Sequence, residues 1–240
     1  MDTTALKKFA QSARRQLLEQ VAARMEQVLR TDSIEIREKA QAVDELKKQI
    51  GAASKGAVID RVAYTWFNRF CALRFMDVNH YTRIGVVSPV EGFTQPEVLG
   101  EAKQGVIDES FELDQARVFA LLNGQIPSSN PQQEAYRLLL KGACNAWHDE
   151  MPFLFPEIED YTELLMPDDL LSENSVLQGV RETLTPEACQ DVEVIGWLYQ
   201  YYISERKDEV FAGLKKRKKI EAEDIPAATQ LFTPHWIVRY

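Results

Sequence analysis

The chain has 240 residues, 45% hydrophobic and 27% charged, with 28 Lys and Arg against 37 Asp and Glu and a formal net charge of −9. These are globular proportions, and a chain of this length can bury roughly 70–75% of its unfolded surface, in one sizeable core or two small ones. The acidic balance argues against a general nucleic-acid wrapper, no apolar run approaches the roughly 20 residues needed to span a bilayer, and Met1-Asp2-Thr3-Thr4 lacks a secretion-signal pattern.

In chain order the dominant period is helical. From Thr4 to about Leu29, Leu6, Phe9, Ala13, Leu17, Val21, Met25 and Val28 trace one apolar face. Thr31-Asp32-Ser33 interrupts it, and Asp32 with Glu35 has capping-box spacing. A second helix is expected to about Ile50, with Ala40, Val43, Leu46 and Ile50 inward and Gly51 as its stop. The two helices read as an α-hairpin. A third helix, about Lys55 to Val78, carries Val58, Val62, Ala63, Trp66, Phe67, Phe70, Cys71 and Phe75 and should anchor the core. Residues 79–110 lose the period under Gly and Pro punctuation. There Ile84–Val87 is a candidate strand and Glu97–Lys103 a candidate short helix.

Helices resume over Phe111–Leu122 and after Asn130-Pro131, a cap followed by proline at the first helical position. Met151–Pro156 is too short for a helix and is expected to plug the core. A short helix follows Ser172, Thr185-Pro186-Glu187 signals another cap, and a long helix is expected from about Val192 to Lys216. No repeat and no extended alternation occurs. The expected fold is therefore all-α: an irregular multi-helix bundle with an N-terminal α-hairpin and at most a small β element near 84–92. It is read as soluble and cytoplasmic, with no membrane partner.

Cys71, Cys144 and Cys189 are solitary, as a reducing compartment allows. Cys71 and Cys144 fall on apolar faces and read as packed core. His80, His148 and His235 are equally isolated, so no metal site is expected. Lys215-Lys216-Arg217-Lys218-Lys219 is the strongest signal outside the core. At a helix end, where the dipole favours cations, it reads either as a patch contacting DNA phosphates or as a solvated linker. Its neighbours Glu221, Glu223 and Asp224 weigh toward the linker. Tyr64, Trp66, Asn68, Arg69 and Arg74 could stack on a base or reach a phosphate, or cap the core through cation–π contacts and ion pairs. Trp197, Tyr199, Tyr201 and Tyr202 allow the same two readings, and the helical spacing of Val194, Ile195, Leu198, Tyr201 and Tyr202 favours packing.

Near the C-terminus Thr233 is placed as an N-cap and Pro234 as the first residue of a helix. Trp236, Ile237, Val238 and Tyr240 would start an apolar helix too short to stand alone. The end therefore reads as the entry to a larger body.

Four runs carry a resemblance. They are Ala63-Tyr64-Thr65-Trp66-Phe67-Asn68-Arg69-Phe70-Cys71-Ala72-Leu73-Arg74-Phe75-Met76, Met151-Pro152-Phe153-Leu154-Phe155, the run from Val192 to Glu205, and Asp224-Ile225-Pro226-Ala227-Ala228-Thr229-Gln230-Leu231-Phe232-Thr233-Pro234. In this order they resemble the N-terminal region of PglX-type enzymes, the adenine-specific DNA methyltransferases of BREX phage-defence systems. The match is poorest over roughly 25–55 and 80–130. The resemblance implies a helical N-terminal module over 1–220, and a linker with the start of a truncated methyltransferase domain over 221–240. It also implies that Phe232, Thr233 and Pro234 lie against S-adenosylmethionine in the full-length enzyme.

The departure is equally specific. The family's Gly-rich S-adenosylmethionine loop and its catalytic Asn-Pro-Pro-Tyr are absent from this sequence; Asn130 precedes Pro131 but is followed by Gln132. No catalytic residue is assigned, and the segment alone is expected to bind no cofactor and methylate nothing. Its expected partners are its own methyltransferase domain, the DNA backbone through Lys215–Lys219, and other BREX proteins. The competing reading is an autonomous acidic protein-interaction module with no enzyme attached.

Overall fold

The computed structural model describes residues 3–30, 34–158, 161–215, 225–229 and 231–239. Among them every regular element is helical, so the fold is all-α. α1 spans Thr3–Arg30, and its buried stripe recurs every three or four residues through Leu6, Ala10, Ala13, Leu17, Val21, Met25 and Val28. The expected second helix is two pieces, α2 (Ile34–Glu38) and α3 (Ala40–Ala52), broken at Lys39, where φ −105° and ψ 31° leave the helical region. Gly51 sits inside α3 instead of stopping it, and Ala40 is exposed. The Asp32 end of the expected capping box lies outside the described residues.

α4 (Lys55–Val78) is capped by Ser54, whose Oγ accepts the Ala57 N–H at 3.1 Å. Its apolar stripe buries Trp66, Phe67, Phe70 and Leu73 completely. α1 packs against α4 and α10, while α3 lies on α4 and α8, so the first two helices are not each other's main partners as a hairpin would make them. A second group holds α5 (Glu97–Lys103), α6 (Gln115–Leu122) and α7 (Pro131–Ala146). The expected Asn130 cap forms, accepting from Gln133 N–H at 3.2 Å; α6 starts four residues later than the expected Phe111, at a cap where Asp114 accepts from Arg117 N–H at 3.0 Å. Gly142 of α7 marks a close approach, because a Cβ there would meet Leu113 Cδ2 at 2.6 Å.

The segment between the two groups is where strand and structure part. Among the described residues no strand forms near 84–92; the expected β element reduces to one isolated antiparallel bridge between Pro89 and Pro96. The reason is a competing acceptor. The buried Asp77 carboxylate takes the backbone N–H of Val86 (3.1 Å), Val87 (2.8 Å) and Ser88 (2.8 Å), with the hydroxyls of Ser88 (2.9 Å) and Thr82 (3.0 Å). Glu97 takes the N–H of Gly85 at 2.7 Å, and Tyr136 on α7 donates to Val86 O at 3.0 Å. Donors satisfied by side chains have no call on a partner strand. Burial pushes the Asp77 carboxyl up, against the opposing pull of the backbone and Ser88 bonds.

The Met151–Pro156 knot plugs the core through Phe155, which is fully buried, with Met151 and Leu154 packed partly against it, whereas Phe153 is 86% exposed. Two α4 side chains hold the stretch that follows: Arg69 Nη2 donates to Pro156 O at 2.7 Å and Trp66 Nε1 to Thr162 O at 3.1 Å. Arg24 of α1 reaches Leu164 O at 3.0 Å in α8 (Tyr161–Leu164). α9 (Val176–Thr183) starts at the Ser175 cap. After it, Thr185 Oγ1 accepts from Ala188 N–H at 3.3 Å and opens a short 3₁₀ turn.

The expected long helix is α10 (Glu193–Tyr202) followed by α11 (Ser204–Lys215), separated at Ile203. Ser204 Oγ donates back to Tyr201 O at 2.7 Å and accepts from Gln11 Nε2 at 3.1 Å. Such back-bonding competes with the helix ladder and bends it. The remaining helices are α12 (Ile225–Thr229) and α13 (His235–Val238). No helix among the described residues is long and apolar enough to cross a membrane.

Two predictions follow from the buried carboxylates. Asp77→Ala leaves several backbone donors without their acceptor, and should cost at least about 3 kcal/mol in urea denaturation; Asp77→Asn, which keeps one acceptor oxygen, should cost less. An Ala variant as stable as the parent chain would refute the Asp77 account. Glu163 lies between Lys39 (2.5 Å) and Lys141 (3.0 Å). Burial would raise its carboxyl, but the two ammonium groups outweigh that and hold it below its usual range. A carboxyl lowered in the folded state contributes stability above its unfolded pKa of about 4.3, and loses it as pH falls through the folded value. Stability should therefore drop more steeply below about pH 4.5 in the parent chain than in Glu163→Gln; identical acid profiles would count against the triad.

Candidate functional site

α10 positions the site because its two faces have different tasks. Val194, Leu198 and Tyr202 are buried, and α10 packs against α1 and α4. Glu193, Gly196, Trp197 and Gln200 recur at helical spacing on another face, and that face holds the segment containing Phe232, Thr233 and Pro234. The Phe232 ring meets Trp197 edge-on, with centroids 5.2 Å apart, and its N–H donates to Gln200 Oε1 at 3.0 Å. A Cβ at position 196 would fall 2.0 Å from the Phe232 ring. That close approach explains a glycine inside a helix, where it is otherwise unfavourable by about 1 kcal/mol relative to alanine.

The helix entry is shifted by one residue from the expectation. Pro234 (φ −59°, ψ 151°) is the cap of α13 and His235 its first residue, so Thr233 is not the N-cap. Proline cannot satisfy the first N–H of the helix with a side chain, and Glu193 of α10 accepts it from His235 instead. Three anchors thus fasten the segment: ring, backbone amide and helix end. Phe232 and Pro234 are half-buried, while Thr233 is exposed.

Several large apolar side chains of α11 to α13, and of the stretch before α13, are exposed. Phe211, Leu214, Ile225, Leu231, Ile237 and Val238 are all exposed, Leu231 to 68% and Val238 to 67%. The Trp236 side chain and Tyr240 lie outside the described residues. Of the basic run, Lys215 ends α11 and is exposed; Lys216, Arg217, Lys218 and Lys219 lie outside the described residues.

The constellation of Tyr64, Trp66, Asn68, Arg69 and Arg74 divides. Arg69 is 1% exposed, with its guanidinium 5.0 Å from the Trp66 ring centre, and cannot reach an external phosphate. Arg74 donates to Leu184 O at 3.0 Å and to Ser88 Oγ at 2.5 Å. These are internal anchors. Tyr64 behaves differently: with Tyr199 (5.7 Å) and Tyr202 (5.6 Å) it forms an aromatic wall along a groove. Trp197 stacks on Tyr201 at 5.8 Å.

All three cysteines are buried. Burial pushes Cys144 up to about 12 and Cys189 up to about 11, and Cys71 upward too, so none is an activated thiol. Among the described residues no group of three or more His, Cys, Asp or Glu could hold a metal. Sequence reasoning missed Gly196, whose signal was a lone glycine amid bulky helix residues, and Asp77, an acid on the apolar stripe of α4.

Fold and site together define an all-α packing module that clamps a Phe-Thr-Pro segment on an outer face. No protein-family model matches the chain. It is 44% identical over 188 residues to the adenine-specific methyltransferase BrxX of Escherichia coli O9:H4 (strain HS), an alignment covering 76% of this chain and 14% of that protein. It is 32% identical over 282 aligned residues to the adenine-specific methyltransferase PglX of Lacticaseibacillus casei (strain Zhang), covering 100% of this chain and 22% of that protein. The chain is thus a PglX/BrxX-like region, related to adenine-specific methyltransferases and spanning a minor part of their length.

The clamp is testable on this chain alone. Gly196→Val should expel Phe232 from its notch, exposing residues 225–239 to limited proteolysis and shifting Trp197 fluorescence, while α1 to α9 keep their melting behaviour. Unchanged cleavage and emission would mean that the notch does not hold the segment.

Proposed function

We propose that this chain is the N-terminal, non-catalytic helical module of a larger S-adenosylmethionine-dependent N6-adenine DNA methyltransferase of the PglX-like BREX type. In that reading residues 1–220 form the module, and residues 221–240 lead into the catalytic domain. The observation that carries the proposal is the triple fastening of the Phe-Thr-Pro segment to α10, in a chain matched along its whole length by a methyltransferase. The exposed apolar residues of α11 to α13 support it, since such a patch suits burial against another body. They also favour this reading over an autonomous interaction module, whose recognition surface would draw on the acidic charge.

The residues present suit one wall of a cofactor site and no more. Phe232 is turned onto Trp197 and serves as the anchor, which leaves exposed Thr233 and half-buried Pro234 as the edge offered to S-adenosylmethionine. When bound, S-adenosylmethionine supplies the methyl group for the adenine amino nitrogen. This chain's own share is to orient that edge. The Gly-rich loop and the Asn-Pro-Pro-Tyr sequence needed for the transfer would come from outside it. The run Lys215, Lys216, Arg217, Lys218 and Lys219 is proposed to meet DNA phosphates beside the catalytic cleft, contributing affinity without sequence preference.

Two measurements on the full-length enzyme test this. Gly196→Val should weaken S-adenosylmethionine binding about tenfold, ~1.4 kcal/mol, by calorimetry; an unchanged dissociation constant would remove the cofactor role of residues 232–234. Replacing the five basic residues with Gln should reduce the dependence of log affinity on log salt by up to about 0.9 per lost phosphate contact. An unaltered slope would leave the run a linker.

A further inference from the structure

We propose that Glu193 and Gln200 of α10 are positioning residues that set the register of the Phe-Thr-Pro segment, and so decide that Thr233 is the residue it turns outward. The assignment rests on the reading of residues 232–234 as an edge for S-adenosylmethionine, and it names the two side chains through which this chain holds that edge in place.

The two side chains act as a ruler. Seven residues separate Glu193 from Gln200, close to two helical turns, which puts both on one face of α10 with about 10.5 Å of rise between them. Gln200 Oε1 accepts from Phe232 N–H at 3.0 Å, and the Glu193 carboxylate accepts from His235 N–H. These two amides are three residues apart. Three residues span about 10–11 Å when extended and about 4.5 Å when helical, so the pair of bonds fits an extended segment and not a helical one. Pro234 is extended, with ψ 151°, and the residue before a proline is itself driven to extended backbone. Burial of Val194, Leu198 and Tyr202 fixes α10 underneath, so the ruler is rigid.

The exposure pattern records the result. Side chains of an extended chain alternate between two sides. Leu231, Thr233 and His235 are exposed, and Phe232 and Pro234 between them are half-buried. A slip of one residue would exchange the two sides: Phe232 would leave Trp197 and the notch at Gly196, and Thr233 would turn onto α10. The ring contact fixes one point of the segment; the two amide bonds fix its direction. In the observed register Pro234 brings no donor, and among the described residues neither the N–H nor the hydroxyl of Thr233 has a hydrogen-bond partner. The free donors of the edge therefore both belong to Thr233, between the two anchored amides.

Gln200→Ala and Glu193→Ala test the pair on this chain and on the full-length enzyme. On this chain each should speed hydrogen exchange of its own partner amide, Phe232 or His235, at least about threefold, while residues 225–239 stay resistant to limited proteolysis because Phe232 keeps its notch. In the full-length enzyme each should weaken S-adenosylmethionine binding at least about threefold by calorimetry. Gln200→Glu and Glu193→Gln, which keep an acceptor oxygen at the same reach, should restore affinity to within about twofold of the parent. Parent affinity in both alanine variants overturns the assignment. So does failure of the conservative variants to restore affinity, or cleavage of the alanine variants as fast as of Gly196→Val, which would make the pair fasteners and nothing more. Gly196→Val separates the two levels: if it weakens the cofactor and the alanine variants do not, only the register assignment falls; if none of the three changes affinity, the reading of residues 232–234 as a cofactor edge falls with it.

Discussion

The structure depends on one constraint: a chain without a sheet must still satisfy the backbone of its long irregular connections. α4 supplies that satisfaction from inside the core. Asp77 takes the amides of Val86, Val87 and Ser88. Arg74 takes the carbonyl of Leu184, Arg69 that of Pro156, and Trp66 that of Thr162. Four side chains on one helix thereby pin three separate connections. Each is also buried or half-buried among apolar neighbours, where an unmade polar bond is most costly.

That arrangement joins the two helix groups. The 82–88 segment is held from α4 by Asp77 and from α7 by Tyr136, so the α5–α7 cluster is tied to the main body by hydrogen bonds as well as by apolar contact. The connection from Pro156 to Leu164 is held in the same way from α4 and α1. With these segments pinned, α1 is gripped between α4 and α10. The outer face of α10 then becomes a fixed platform, on which Gly196 and Trp197 can receive Phe232.

The chemistry-bearing residue types are spent unevenly. Arg69, Arg74 and Trp66, which look from their types like ligand contacts, are consumed in holding backbone. Tyr64, two residues before Trp66 and so on a different face of the same helix, is instead left beside the groove with Tyr199 and Tyr202. The cysteines are raised by burial and sit apart from both the clamp and the groove. What the molecule offers outward is therefore the anchored Phe-Thr-Pro edge, exposed apolar side chains near it in sequence and a groove lined by Tyr64 and Tyr199, on an acidic body.

The sequence by itself determined the all-α class, the course of α1, the whole extent of α4, and the cap at Asn130. Each rests on a local signal: a 3.6-residue period, or a side chain within three residues of the amide it satisfies. The resemblance to adenine methyltransferases was likewise legible in runs of consecutive residues. Tertiary structure decided the rest. It replaced a strand at 84–87 by a loop wrapped on Asp77, divided the last long helix at Ile203 through Ser204 and Gln11, and moved the start of α13 by one residue because Glu193 captures the His235 amide. It also gave meaning to Gly196. Apart from the local Ser204–Tyr201 bond, the deciding partner lies at least nine residues away along the chain, and no local period records which distant side chain will claim an amide or fill a notch.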